Sequence, residues 1–478
     1  MSTAPFTAIA TPAARKLGPR SRWSFGLGSI AYGIKDNGFA TFLLLFYNQV
    51  IGLPDLYVGV AIAAALMVEA FIDPAVGFWS DRTRSRWGRR HPWMYASALP
   101  VAVGWIMLWN PPAVSQGFTL VWLFGSALLV RIALSAFEIP SSALGPELSS
   151  DYDERTKLFS YRYLFGWIGG LGMLSLAYAV FLRTGGKVDL LSGVGYSHMA
   201  LFAAIVMAAA ILISSIGLHH EIEHLPKIVP TEGHLTDHFR EFRQTVSNRG
   251  FAVLMVAGLF AYTGQGISFA LSNYMYQYVW RFEGGDYQYL SGALLLGAVI
   301  AFVIAPWLTR GGDKHRVGAA FAFGNALLVV LPYVLRLAGW FPANGSPYLL
   351  PILLTLFVVN TACGVGAFIL GAAMMSDVVE ESEARTGRRS EGVFFAGSFF
   401  VQKMVGGLGI FMASMILWFA AFPAAAKPGQ VPAAVIDRLT IVFIVLMLTF
   451  YTLAAITYSR FPFGRKEHEA RLARAGAG

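Results

Sequence analysis

Residues 56–80 read LYVGVAIAAALMVEAFIDPAVGFWS. Apart from Glu69, Asp73 and the closing Ser80 the run is apolar, and it is long enough to cross a bilayer as a helix. Four residues is about one helical turn, so both carboxylates lie on one face. Holding an ionised carboxylate at that depth costs roughly 2.5–3.5 kcal/mol on insertion scales. Charges kept inside spans tend to mark ion and substrate pathways. The use suggested here is to hold a cation that drives solute movement.

The rest of the chain has the same character. Of its 478 residues, 56% are hydrophobic and only 13% are charged, where a soluble domain carries about 25%. Apolar segments of spanning length fall near 24–50, 57–80, 92–110, 117–145, 160–183, 197–218, 250–278, 288–309, 317–338, 347–377, 391–421 and 433–459. Lipid offers no partner to an unpaired backbone group, and the segments lack barrel alternation, so the spans are helices. The expected fold is an all-α membrane protein of twelve transmembrane helices. Most of the 36 Lys and Arg fall in the termini and the loops after even-numbered spans. That bias makes the termini cytoplasmic in a multi-pass protein of the cell (inner) membrane. The net charge of +9 then reflects topology and not a nucleic-acid partner. A polar lead before a long first apolar run argues against a cleavable signal. The one cysteine, Cys363, sits in an apolar run; it reads as a packing residue, with no internal disulfide and no cysteine metal site.

The two halves repeat in order. Pro74 precedes Asp81-Arg82 as Pro306 precedes Asp313-Lys314. Glu147, Asp151, Asp153 and Arg155-Thr156 recur as Asp377, Glu381, Glu383 and Arg385-Thr386. Gly169-Gly170-Leu171-Gly172 recurs as Gly406-Gly407-Leu408-Gly409. Two parallel six-helix halves are the plan of the major facilitator superfamily, whose substrate site lies near the midplane. The expected organisation is a cytoplasmic tail at 1–23, a six-helix half at 24–218, a central cytoplasmic loop at 219–249, a second half at 250–459 and a cytoplasmic tail at 460–478.

Seven ionisable groups fall inside predicted spans: Lys35, Asp36, Glu69, Asp73, Arg131, Glu138 and Lys403. A purely structural ion-pair network is the plain alternative, but desolvation can exceed the Coulomb gain of such pairs. The mechanism that follows is symport. Carboxylates of helices one, two and four bind Na⁺ or carry a proton; Lys403 bridges the empty site and lets go when the cation binds. Cation and solute then favour each other's binding to the same degree.

Asp73-Pro74-Ala75-Val76-Gly77, followed by SDRTRSRWGRRHPW, resembles the signature of the glycoside–pentoside–hexuronide:cation symporters, a melibiose permease-like pattern that runs over most of the chain. YGIKDNG resembles that family's helix-one Lys-Asp pair, here Lys35 and Asp36. Glu69 and Asp73 match its helix-two acidic pair, which implies a coupling-cation site, with Glu at the first position where Asp is usual. Glu138-Ile139-Pro140 matches an Asp-Ile-Pro that contacts both sugar and cation region. Arg162, in FSYRYLFGW, matches an arginine that reaches the sugar, and FFVQKMVGG matches the helix-eleven lysine, here Lys403. The resemblance implies that Asp36, Glu138 and Arg162 face sugar hydroxyls, which suits paired acceptors and a paired donor. Ser142 stands where the melibiose permease-like pattern has a stacking tryptophan, and Arg131 has no counterpart. Arg131 therefore either pairs with Glu138 or receives an anionic sugar such as a hexuronide. A relative in the same superfamily carries lysophospholipids, so a non-sugar solute stays open.

The arginines of 82–90 beside Asp81, and Asp313-Lys314 in the repeat, suggest helix-end charge pairs that act as a gate, with Glu147 and Asp377 as acidic partners. The glycine clusters suggest close helix contact. His220-Glu221-Ile222-Glu223-His224 fits H-E-x-x-H, and a membrane zinc protease is the remote alternative. No third ligand is evident, whereas catalytic zinc usually has three. No phosphate-binding G-x-x-x-x-G-K-[ST] occurs, which disfavours ATP-driven transport. The chain is expected to be a transporter and not an enzyme, a working monomer with no cofactor beyond Na⁺ or H⁺.

Overall fold

The computed structural model describes residues 17–149, 152–225, 248–308, 314–386 and 391–462. Pro19 opens the first helix, where its missing N–H would have had no partner anyway. Rod α1 (19–50) is built from Pro19–Leu27, Ser29–Asn37 and the π-helical turns Gly38–Leu43 and Phe46–Val50. Then follow α2 (Asp55–Arg82), α3 (His91–Trp109), α4 (Gln116–Leu148), α5 (Tyr152–Leu176) and α6 (Gly193–Gly217). A two-stranded hairpin, β1 (Arg183–Thr184) and β2 (Lys187–Val188), turns on Gly185 and Gly186 between α5 and α6. Both glycines have positive φ, as a tight hairpin turn requires. The second set is α7 (Arg249–Tyr274), α8 (Asp286–Leu308), α9 (Lys314–Leu337), α10 (Leu349–Thr386), α11 (Glu391–Phe419) and α12 (Ala433–Ser459). Among the described residues, ten helices are long and apolar enough to cross a membrane. The interrupted rod α1 and the shorter α3 complete the twelve.

Several helices outrun their apolar stretches. α4 continues to Leu148, α10 continues to Thr386, and α5 already begins at Tyr152. Hydropathy falls where Glu147 and Asp377 begin the polar ends, but backbone hydrogen bonding carries on into them. The starts are fixed by side chains. Ser115 caps α4 by accepting from the Phe118 N–H, and Ser192 caps α6 through the Gly195 N–H. Asn248 accepts from the N–H groups of Gly250 and Phe251, and its Nδ2 donates to Glu381 at 2.7 Å.

The described residues form two compact units. The first holds residues from 17–42, 64–184 and 189–225; the second holds 43–63, 185–188 and those from 248 onward. In the first, α1 packs on α5 and α6, while α3 packs on α4 and α6. In the second, α7 packs on α11 and α12, while α9 packs on α10 and α12. The pairing of first with fifth and sixth helix, and of third with fourth and sixth, is the same in both.

The repeated glycines sit at the first-to-fifth contacts. A Cβ on Gly169 would lie 2.8 Å from the Cα of Ile30 on α1, and one on Gly409 would lie 2.7 Å from the Cα of Gly266 on α7. Such distances require glycine, since backbone cannot give way as a side-chain tip can. Gly172 and Gly406 have nothing within 4 Å of an added Cβ. The two motifs are alike in sequence, but a different glycine carries the contact in each.

The second unit also contains a buried polar knot that sequence reading did not single out. Asn48 and Gln49, in the last turn of α1, are both buried. Asn48 Oδ1 accepts from the Tyr274 hydroxyl at 2.8 Å and from Gln49 Nε2, while Asn48 Nδ2 donates to the Leu53 carbonyl. Gln49 Oε1 accepts from the Ala426 N–H at 2.8 Å, and Gln49 Nε2 reaches the Pro423 carbonyl. The Tyr278 hydroxyl lies within hydrogen-bond distance of both Gln49 Oε1 and the Ala426 carbonyl.

Gly169→Val and Gly409→Val should each destabilise the protein by about 1–3 kcal/mol, the usual cost of overpacking. Gly172→Ala should be neutral or slightly stabilising, because alanine is the better helix former and meets no neighbour. Thermal unfolding of the detergent-purified variants measures both.

Candidate functional site

The ionisable groups predicted inside the first six spans all lie in the first unit. Arg131 and Glu138 are seven residues apart on α4, two turns along nearly one face. Glu69 and Asp73 lie one turn apart on α2, and Lys35 and Asp36 lie in the middle of α1.

Arg131 Nη1 donates to Glu69 Oε2 at 2.5 Å, and both side chains are at most 4% exposed. The guanidinium also stands over the Phe39 ring, 4.3 Å from its centroid, a favourable contact with the ring's negative face. This pairing was not among the sequence alternatives for Arg131, which considered Glu138 or an anionic solute. The extra methylene of glutamate over aspartate lengthens the reach of this carboxylate, which makes a direct bond to α4 easier to form. Burial makes the pair a tightly held one: removing either partner leaves a charge stranded away from water.

Lys35 Nζ lies 2.7 Å from Asp36 Oδ1. The two ends of this pair differ sharply, with the lysine side chain 4% exposed and the aspartate 43% exposed. Lys35 is further held by the Tyr32 ring, 5.0 Å away, so the pair presents an accessible carboxylate on a buried anchor. Arg162, on α5, donates from Nη1 to Ser141 Oγ at 3.1 Å and from Nη2 toward the Glu138 carbonyl at 3.4 Å. It thereby fixes the turn of α4 that carries Glu138. Ser142 spends its hydroxyl on the Ile139 carbonyl of its own helix. Asp73 and Glu138 are half-buried in the first unit, and Lys403 is half-buried on α11 of the second.

The helix ends hold a second set of charges. Glu147 Oε1 accepts from Arg89 at 2.6 Å and from Arg90 at 2.6 Å, and Arg90 also lies 3.0 Å from Asp81. Arg82 turns away from them onto the Phe78 ring. In the second unit Lys314 Nζ donates to Asp377 Oδ1 at 2.7 Å. Asp313 and Asp151 lie outside the described residues. One strong pair was missed by the sequence reading: Arg22 holds buried Glu154 through Nε and Nη2. Its only sequence signal is an acid beside the repeated Asp153, with no hint of a partner 132 positions earlier.

The HEIEH stretch forms a 3₁₀ turn, His219–His224. The zinc-protease pattern needs two histidines on one face of an α-helix, which a 3₁₀ turn does not provide at that spacing. Buried Glu221 accepts instead from Ser21 at 2.6 Å. Among the described residues no group of three or more His, Cys, Asp or Glu side chains is arranged to hold a metal ion.

The MFS/sugar transport protein family matches residues 24–465. The chain belongs to that family. It is 25% identical over 450 residues to the inner membrane symporter YicJ of Escherichia coli K12, covering 93% of this chain and 92% of that protein. It is 26% identical over 400 residues to the isoprimeverose transporter of Lactiplantibacillus pentosus, covering 83% and 79%. Its fold matches the crystal structure of a D-xylose-proton symporter with a TM-score of 0.66 at 13% identity, over 92% of this chain and 97% of that one. The chain is thus a secondary transporter of the major facilitator type and not an enzyme, which retires the zinc-protease alternative.

Glu69→Gln should cost about 3–5 kcal/mol of stability, because it strands the buried Arg131 charge. The double variant Glu69→Gln/Arg131→Gln should recover much of that loss. A thermal-unfolding double-mutant cycle in detergent measures the coupling.

Proposed function

We propose that this transporter is a cation-coupled symporter of a sugar, of the glycoside–pentoside–hexuronide class, working by alternating access. The observation that carries the reading is the charged array held inside one helical unit. Asp36 leans on Lys35, Glu69 is bonded to Arg131, and Arg162 braces the turn from Glu138 to Ser141. Sugar hydroxyls are recognised by paired acceptors and paired donors, which carboxylates and guanidinium groups supply. Asp36, Lys35, Glu138 and Arg162 form the sugar-binding set in this reading. Glu69, Asp73 and Glu138 form the cation set, and Lys403 is the coupling residue assigned to the second unit. Arg131 is assigned to the cation side, since its charge is already engaged by Glu69. The charge pairs of Arg89 and Arg90 with Glu147 and Asp81, and of Lys314 with Asp377, serve as helix-end latches. The family description and the relatives named as a symporter and an isoprimeverose transporter support the substrate class. The protein acts in the inner membrane as a monomer, with both termini cytoplasmic.

The test is solute-induced movement of H⁺ and Na⁺ with the purified protein in vesicles, screened over neutral glycosides, pentosides, uronides and lysophospholipids. A sugar that draws in a cation establishes the symport. A response to lysophospholipid alone would move the substrate class while keeping the carboxylate mechanism. Asp73→Asn should abolish accumulation against a gradient while the protein still inserts and unfolds as the wild type does; full accumulation would remove Asp73 from coupling. Lys403→Ala should stop or uncouple transport, read as solute flux without accompanying cation flux. Unchanged coupling would take Lys403 out of the site.

A further inference from the structure

We propose that Arg131 is a tethered cation at Glu69: its guanidinium occupies the carboxylate that a coupling Na⁺ would need, so that Na⁺ cannot drive this transporter and the proton is left as the coupling ion. The inference rests on the reading of the chain as a symporter and narrows which cation it uses.

The geometry is direct. The Nη1–Oε2 contact is 2.5 Å, and both side chains are almost wholly removed from solvent. Arginine keeps its charge at any pH a folded protein meets, so the positive charge beside Glu69 is permanent. The guanidinium is also held by Phe39, while its Nε is buried with no hydrogen-bond partner among the described residues. It is a charge delivered to one carboxylate and not a fully bonded structural clamp.

Na⁺ and H⁺ meet this arrangement differently. Sodium binds by gathering several oxygen ligands around a full positive charge. At Glu69 it would have to share the carboxylate with the guanidinium or displace it, and either way two cations would stand close together where charges are poorly screened. A proton needs one oxygen only. It passes from water to a carboxylate oxygen, forms an O–H bond, and cancels the negative charge that holds Arg131. The guanidinium keeps its own protons and is released, and the proton returns to water when the carboxylate ionises again. Tyr32 of α1 lies within electrostatic reach of Asp36, Glu69 and Glu138, and Arg162 of α5 within reach of Glu138 and Tyr32; Lys35 and Asp73 are the other ionisable groups in the middle of α1 and α2. With all of them ionised, the acids Asp36, Glu69, Asp73 and Glu138 exceed the bases Lys35, Arg131 and Arg162 by one. One proton makes the array neutral.

Equilibrium binding of radioactive Na⁺ to the purified full chain at neutral pH tests this without knowledge of the solute. Wild type should show no saturable binding. Arg131→Gln should gain it, and Arg131→Gln/Glu69→Gln should lose it again. Saturable Na⁺ binding to wild type that Glu69→Gln removes would overturn the proposal. That comparison stands even where Arg131→Gln fails to fold. In vesicles, an inward proton gradient should drive uptake of a glycoside, and a Na⁺ gradient of equal size should not; Na⁺-driven accumulation by wild type would overturn the proposal and leave symport intact. No glycoside uptake under either gradient, with Na⁺ still unbound by wild type and bound by Arg131→Gln, would instead sink the sugar-symport reading and leave the exclusion of Na⁺ by Arg131 supported.

Discussion

Inside a bilayer no water is at hand to solvate a stray charge or an unpaired backbone group, and the rest of this structure follows from that constraint. Every acid placed in the apolar spans must be answered by a base, a donor or a bound cation within reach. Glu69 is answered by Arg131 from a different helix, and Asp36 by its neighbour on the chain. The two solutions differ in consequence. A cross-helix pair ties α2 to α4 and is sensitive to any change of charge on either. A neighbouring pair ties nothing together, but it leaves the Asp36 carboxylate open at 43% exposure while the ammonium stays buried. One arrangement suits a switch and the other suits a hand held out to a solute.

Close helix approach is the second requirement, since short charge pairs need helices that lie near one another. Lipid supplies no hydrophobic drive between helices, so contact depends on fit. Gly169 brings α5 against α1 in the first unit, and Gly409 brings α11 against α7 in the second. The helix pairing is common to both units, but the charges are not. The first concentrates seven ionisable groups along α1, α2, α4 and α5, whereas the corresponding interior of the second holds Lys403. The scaffold was kept in both halves and the chemistry gathered in one.

The apolar runs, the helical class and the positions of the buried charges were legible in the sequence, because hydropathy and residue identity carry them directly. The glycine repeat was legible as a contact surface but not as a register: Gly169 and Gly409 touch, while Gly172 and Gly406 face open space. Which glycine touches depends on the rotation of each helix about its axis, and no spacing rule encodes that rotation here. Partners were the least legible. Glu69 and Arg131 are 62 positions apart, Arg22 and Glu154 are 132, and Asn48 meets Tyr274 across 226. The Asn48-Gln49 dipeptide at the end of an apolar run was a usable signal for a buried polar knot. Two adjacent amides are costly to bury unless every donor and acceptor is met, and here tyrosine hydroxyls and the backbone around Ala426 meet them.

The formal charges of the first unit connect this wiring to the proposed coupling. Within the first unit four acids stand against three bases, a formal excess of one negative charge in surroundings where charge is expensive. A neutral sugar adds hydrogen bonds but cannot offset that charge; a monovalent cation can. For the proposed symport, cation first and sugar second is the order that lowers the energy at each step, because the sugar would then meet an array that has stopped attracting counter-ions. A uronide would bring a second negative charge and would raise the demand for a cation instead of leaving it unchanged. The Arg131–Glu69 bond sharpens the distinction. On the proposed role of Glu69, the coupling charge would have to reach a carboxylate already in contact with a guanidinium, and a proton, which forms an O–H bond with one oxygen, would do so without bringing two full positive charges side by side.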